Sequence, residues 1–179
     1  MNSARTLTIA GIKHSGKSTL GRLIAAKINA VFYDVDEVIA QKYGQSVREL
    51  FRSAGEQEFR RIEAETARLL AQKDENKVIS LGGGAVSNCF FDAELFAQLS
   101  PLVMVDITDE TAEKRVFANG VPAYLEKYSA PRQALREINS ARREKMHCVC
   151  TAVYLSDESL SPEKQAERFY HFLEQEHIL

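Results

Sequence analysis

Five short runs of this chain are almost continuously apolar, and longer helix-like stretches separate them. The runs are "LTIA" (7–10), "VFYD" (31–34), "VISL" (78–81), "LVMVDI" (102–107) and "AVYL" (152–155). A strand with one face in water alternates apolar and polar residues. A strand covered on both faces does not, so these runs predict a parallel sheet with helices on either side. Helical patterns fall at about 17–28, 55–73, 109–117, 131–147 and 161–176. In the second, Phe59, Ile62, Thr66, Leu69 and Leu70 recur near helical spacing, with charge on the other faces. Strands alternating with helices give an α/β fold class. With 179 residues and no repeat or linker, one domain over 1–179 is expected.

The first run leads into "GIKHSGKST" (11–19), which fits G-x-x-x-x-G-K-[ST] as Gly11, Gly16, Lys17 and Ser18. Glycines let the backbone curl until successive N–H groups converge on phosphate oxygens, and the following helix adds its positive end. Lys17 is then placed for the β- and γ-phosphates and Ser18 for Mg²⁺, with Ser15 and Thr19 in the same loop. The strand before and the helix after supply the context this motif needs. A nucleotide phosphate with Mg²⁺ is therefore the expected ligand, and the loop alone does not separate a kinase from a GTPase or a motor ATPase. A guanine-recognition N-K-x-D is not found in "NKVIS" (76–80). Asp106, ending "LVMVD", reads either as a metal-side aspartate or as a strand-end cap.

Two further groups sit at strand ends. Asp34 and Asp36 in "FYDVDEVI" (32–39) follow the second run, and alternation along an extended segment would point both to one side. One would serve Mg²⁺ through water and the other would accept a hydroxyl proton; a helix N-cap for "EVIAQKY" is the competing reading. "SLGGGAVS" (80–87) ends the third run with Gly82, Gly83 and Gly84, which would let a ligand approach bare backbone. Side chains beyond the carboxyl ends of parallel strands line the ligand crevice of such sheets.

The order P-loop, "FYDVD", "AGEQEFRRIEAE" (54–65), "GGG" and a late "ARR" (141–143) resembles the shikimate kinase family over essentially the whole chain. The resemblance implies a P-loop kinase fold: a five-stranded parallel sheet flanked by helices, with a substrate-binding helical region at about 34–62 and a lid at about 116–133. It implies transfer of the ATP γ-phosphoryl to the 3-hydroxyl of shikimate. By the same resemblance Lys17 is the phosphate lysine, Ser18 and Asp34 serve Mg²⁺, and Asp36 binds ring hydroxyls and assists proton removal. Arg60, steadied by Glu63, and Arg142 clamp the substrate carboxylate, with Arg143 as a possible shift of register. Gly82, Gly83 and Gly84 line the ring, and Arg115 stacks on adenine. Paired guanidinium forks suit a carboxylate, because bidentate bonds fix orientation as well as affinity.

Three departures from the family pattern stand out. The lid of the family carries arginine, proline and two leucines, whereas "GVPAYL" (120–125) keeps Pro122 and has Val121 at the arginine position. Leu81 stands where a threonine precedes the glycines, and "REKM" (143–146) replaces N-P-L-Y. A cation at the transferring phosphoryl is worth about 10³ or more in rate in related systems. Lys127 and Arg132 are the candidates to supply it. Otherwise the chain would phosphorylate another small hydroxy acid, or bind ATP or a metabolite without turnover.

Composition sets the outer bounds. A net charge of −2 offers no basic face for nucleic acid or an anionic membrane, and no apolar run approaches the ~20 residues of a membrane span. The N-terminus lacks the apolar core of a signal peptide, so a cytoplasmic monomer is expected. Cys89, Cys148 and Cys150 have no zinc-type spacing, and "HCVC" (147–150) reads as a reduced segment entering a strand.

Overall fold

The computed structural model describes residues 5–118, 120–121 and 124–179. All five apolar runs are strands: β1 (Thr6–Ala10), β2 (Val31–Asp34), β3 (Lys77–Ser80), β4 (Leu102–Asp106) and β5 (Ala152–Leu155). They form one parallel sheet in the order β2-β3-β1-β4-β5. The expected five-stranded sheet is present, with β1 at its centre between β3 and β4.

Period-2 alternation divides the apolar residues between two cores. Leu7, Ile9, Val78, Val103 and Val105 face α1 (Lys17–Lys27) and α8 (Pro162–Gln175), where Leu20, Ile24, Phe169 and Leu173 meet them. Ala10, Ile79 and Leu102 face the other way, toward α2 (Val35–Tyr43), α3 (Val47–Ala54), α4 (Glu56–Ala71) and α5 (Ala93–Gln98). α6 (Asp109–Val116) and α7 (Pro131–Val149) enclose a smaller cluster of Val116, Leu125, Ala134 and Leu135. The lid region expected at 116–133 thus shares its first and last residues with α6 and α7. Leu125, fully buried, ties it to them. Pro122 lies outside the described residues.

Helices α2, α3 and α5 add to the five read from periodicity. Local signals start each one. Asp34 caps α2 through Asp36 N–H, Ser46 and Glu49 form a reciprocal capping box on α3, and Asp92 caps α5 through Leu95 N–H. Gly44 and Gly55, at φ 65° and 85°, turn the chain out of α2 and from α3 into α4, where a side chain would be strained. The "HCVC" segment leads into a strand as expected, but from a helix: His147, Cys148 and Val149 are the last turn of α7, Cys150 is its C-cap, and β5 begins at Ala152. Its two thiols and that of Cys89 are free, and burial pushes the Cys150 thiol up to about 12. Among the described residues no helix is long and apolar enough to cross a membrane.

Candidate active site

The sheet is parallel, so the segments that leave its strands gather at one edge. β1 runs into the glycine loop, β2 ends at Asp34, and β3 runs into Gly82, Gly83 and Gly84. The loop closes on Gly16, the N-cap of α1 at φ 91°. Gly11 packs under it so tightly that a β-carbon would collide with the Val105 carbonyl and lie 2.6 Å from Ser15 Oγ. Ser15 Oγ is buried without a hydrogen-bond partner among the described residues. An orphaned hydroxyl inside a ring of backbone amides fits an anion that is bound there in use.

The field at this loop is positive. His14, at φ 63°, presents its carbonyl to Arg115 Nη1 at 2.9 Å. Burial, reinforced by Lys13, Lys17 and Arg115, lowers the His14 pKa and keeps the ring neutral. Arg115 thus stands against the loop. Thr19, in the first turn of α1, is exposed.

The carboxylate pair follows a different geometry from the extended one expected. Asp34 is the last residue of β2, but Asp36 already belongs to α2, because Asp34 Oδ1 accepts from Asp36 N–H at 3.0 Å and starts the helix. The capping and metal-side readings of Asp34 are therefore compatible: its Oδ2 accepts from Ser18 Oγ at 2.6 Å, and Ser80 Oγ lies 3.3 Å from that hydroxyl. Burial and then Asp34 raise the Asp36 pKa, opposed by Lys17 and Lys13. Lys17 is lowered chiefly by burial, with Asp36 and Asp34 opposing. The bonds from Ser18 Oγ and Asp36 N–H to Asp34 set both acidic residues beside the phosphate loop.

The glycine triplet joins this place to the far wall. A β-carbon on Gly82 would lie 2.5 Å from Glu63 Oε1 and 3.3 Å from Asp36 Oδ1; on Gly83, 3.2 Å from Lys13 N; on Gly84, 4.0 Å from Arg142 Nη2. Side chains at these three positions would thus crowd Glu63 and Asp36, the phosphate loop and an arginine in turn. Gly82→Ala is expected to push the two carboxylates aside, cost about 1–3 kcal/mol in thermal unfolding and weaken binding of the small acid.

The arginines sort by their partners. Arg143 Nε bonds both Asp106 oxygens at 3.0 and 2.9 Å, Nη1 bonds Asp109 at 2.6 Å, and Nη2 bonds the Ile107 carbonyl at 2.8 Å. It is committed to holding α7 on β4, and Asp106 is its partner, not a metal-side group. Arg142 is half-buried, partial burial lowers its pKa, and the charges of Arg60 and Glu63 act on it. The register that puts Arg142 in the pocket is the one the geometry favours.

Glu63 does not anchor Arg60 by hydrogen bonds, as expected from the sequence. Arg60 Nε and Nη2 bond Glu56 at 2.9 and 2.8 Å, one turn earlier on α4. Glu63 instead accepts from Asn88 Nδ2 at 2.9 Å, and the same amide holds the Arg60 carbonyl at 2.7 Å. Glu63 is raised mainly by burial, with Arg60 and Arg142 pulling it back down. Asn88 went unnoticed in the sequence, since a lone asparagine after a turn carries no pattern.

Mg²⁺ is implied by the motif. Among the described residues no group of three or more His, Cys, Asp or Glu could hold a metal alone. A hydroxyl and one carboxylate beside a phosphate loop do fit Mg²⁺, which binds through one or two protein oxygens, waters and substrate phosphates.

Comparison with known proteins points to one family by both sequence and fold. The shikimate kinase family model matches residues 13–174. A shikimate kinase of Streptomyces coelicolor is 34% identical over 155 residues, covering 87% of this chain and 88% of that protein. Among solved structures, shikimate kinase of Acinetobacter baumannii in complex with shikimate superposes with a TM-score of 0.83 over 96% of this chain and 94% of its own, at 22% identity. That of Bacteroides thetaiotaomicron gives 0.76 at 26% identity, over 95% and 98%. Matched along nearly its whole length in both sequence and fold, the chain belongs to the shikimate kinase family.

Proposed function

We propose that the chain transfers the γ-phosphoryl group of ATP to the 3-hydroxyl of shikimate. The observation that carries this reading is the glycine triplet, where added β-carbons would lie within 4.0 Å of Asp36 and Glu63, of the phosphate loop at Lys13, and of Arg142 in turn. A phosphate donor and an acidic acceptor held by those groups would meet across that backbone. The P-loop amides and Lys17 hold the β- and γ-phosphates, Arg60 and Arg142 hold the acceptor's carboxylate, and Asp36 orients the ring hydroxyl. Ser18, and Asp34 through water, would hold Mg²⁺, which when bound offsets the charge of the phosphates.

In the transfer, the acceptor oxygen forms a bond to the γ-phosphorus as the bond to the β,γ-bridging oxygen breaks. The bridging electron pair leaves with ADP, and the hydroxyl proton passes to Asp36. Most of the acceleration comes from positioning and charge neutralisation, since a loose transition state needs little covalent help. The ATP chemistry and free thiols suit a cytoplasmic enzyme, and a single chain contains every group named.

The test is a coupled ADP-release assay with and without shikimate. Steady turnover that requires shikimate supports the proposal; ATP binding with no shikimate-dependent ADP release overturns it. Because a deprotonated Asp36 is required and burial raises its pKa, the acid limb of kcat/KM should fall above the ordinary aspartate value of 3.8. A pH–rate profile down to pH about 4 checks this.

A further inference from the structure

Val121 leaves the lid without the family's arginine, and its side chain is 48% exposed. The other cations of this region are engaged. Lys127 lies over the Tyr128 ring at 5.2 Å, and Arg132 bonds Glu113 at 3.2 Å while covering Phe117 at 4.8 Å. Arg136 also pairs with Glu113, and Arg143 is bound to Asp106 and Asp109. Arg132 is thus held by Glu113, Lys127 rests on its neighbour's ring, and among the described residues neither forms a hydrogen bond or ion pair with the phosphate loop.

Lys13 is placed differently. It belongs to the phosphate loop itself, four residues before Lys17, and is exposed. Its backbone nitrogen would lie 3.2 Å from a β-carbon on Gly83, so it stands where the loop meets the glycine triplet. Its ammonium rests over the ring of Tyr124 at 5.5 Å, three residues beyond Val121. Tyr124 in turn interacts with Arg142, and its hydroxyl is buried without a partner among the described residues. Asp36 and Lys17 both feel the Lys13 charge. A long, flexible side chain rooted between the nucleotide and acceptor walls, resting on an aromatic face, is free to turn toward an anion between them.

We infer that Lys13 supplies, from the phosphate loop, the positive charge at the transferring phosphoryl that the family draws from its lid arginine, with Tyr124 as its resting surface. This rests on the proposed kinase reaction. Lys13 forms no covalent bond and keeps its proton; the bonds made and broken are those already given. Its ammonium neutralises charge on the γ-phosphoryl oxygens as the group moves.

Two measurements on the full chain test the role. In the shikimate-dependent assay, Lys13→Met should lower kcat about 100-fold while ADP affinity by calorimetry changes by less than about fivefold. Val121→Arg added to Lys13→Met should recover about tenfold or more, whereas Val121→Arg alone should give no gain. A kcat within about threefold of the parent, or a loss matched by an equal loss of ADP affinity, would overturn the role of Lys13. The second measurement uses no acceptor: affinity for ADP with aluminium fluoride, which mimics the moving phosphoryl. Lys13→Met should weaken it at least about tenfold beyond any change in ADP affinity. Equal weakening of the two would overturn the inference even if shikimate proved not to be the acceptor, and a parent silent with shikimate would count against the kinase reading alone.

Discussion

Asp36→Asn should lower kcat about 10³-fold and leave ADP affinity within a few-fold. Asparagine keeps the size and one acceptor oxygen, so the ring hydroxyl still has a partner. It takes no proton, which is the property the transfer needs. ADP affinity holds because the nucleotide cradle consists of loop backbone, Lys17 and Ser18, to which Asp36 adds only its charge. The same substitution should raise thermal stability at neutral pH. Burial and Asp34 raise the Asp36 pKa. Its contribution to stability is therefore fully present below the unfolded value near 3.8 and is lost as pH rises through the folded value. At neutral pH the charged form is held at a cost that asparagine removes. A dead enzyme with a higher melting temperature would separate lost chemistry from lost folding, and an active Asp36→Asn would remove the base assignment.

Adjacent arginines should fail in opposite ways. Arg142→Ala should raise the KM for shikimate about 100-fold, since it removes one charged fork from the acceptor's carboxylate. Its melting temperature should barely fall, because burial already disfavours the Arg142 charge. Arg143→Ala should leave that KM near its parent value and lose about 3 kcal/mol in denaturant unfolding, because Asp106 is left half-buried with its partner gone. Steady-state kinetics and urea titration of both variants check the contrast. Equal KM effects would mean that the register of α7 differs from that described.

How far the sequence reached depended on whether a signal was local. The three inner strands were legible because burial on both faces keeps a run nearly apolar. The edge strands β2 and β5 were legible because their runs stay apolar although Val31, Val153 and Leu155 are exposed, and the phosphate loop because its backbone curl demands glycine. The Ser46–Glu49 capping box of α3 is equally local, but the helix it starts is only eight residues long and buries only Leu50. Asp34 and Asp36 reach one site for a reason alternation could not supply: the cap made by Asp34 bends the chain into α2. The choice between Arg142 and Arg143 is a matter of ~100° of rotation on α7, which only packing against β4 decides. Arg60 pairs with Glu56 and not Glu63, although i,i+4 spacing made that pair readable. Lys13 went unread because unspecified positions of a phosphate loop look like spacers, and the missing cation was sought in the lid.

The most direct test is a crystal structure with ADP and shikimate bound together. The account predicts a ring hydroxyl within hydrogen-bond reach of the Asp36 carboxylate, facing the end of the ADP diphosphate, and the acid group forked by Arg60 and Arg142. Shikimate seated with its carboxylate on the phosphate loop, or with Asp36 turned away from every ring hydroxyl, would contradict it.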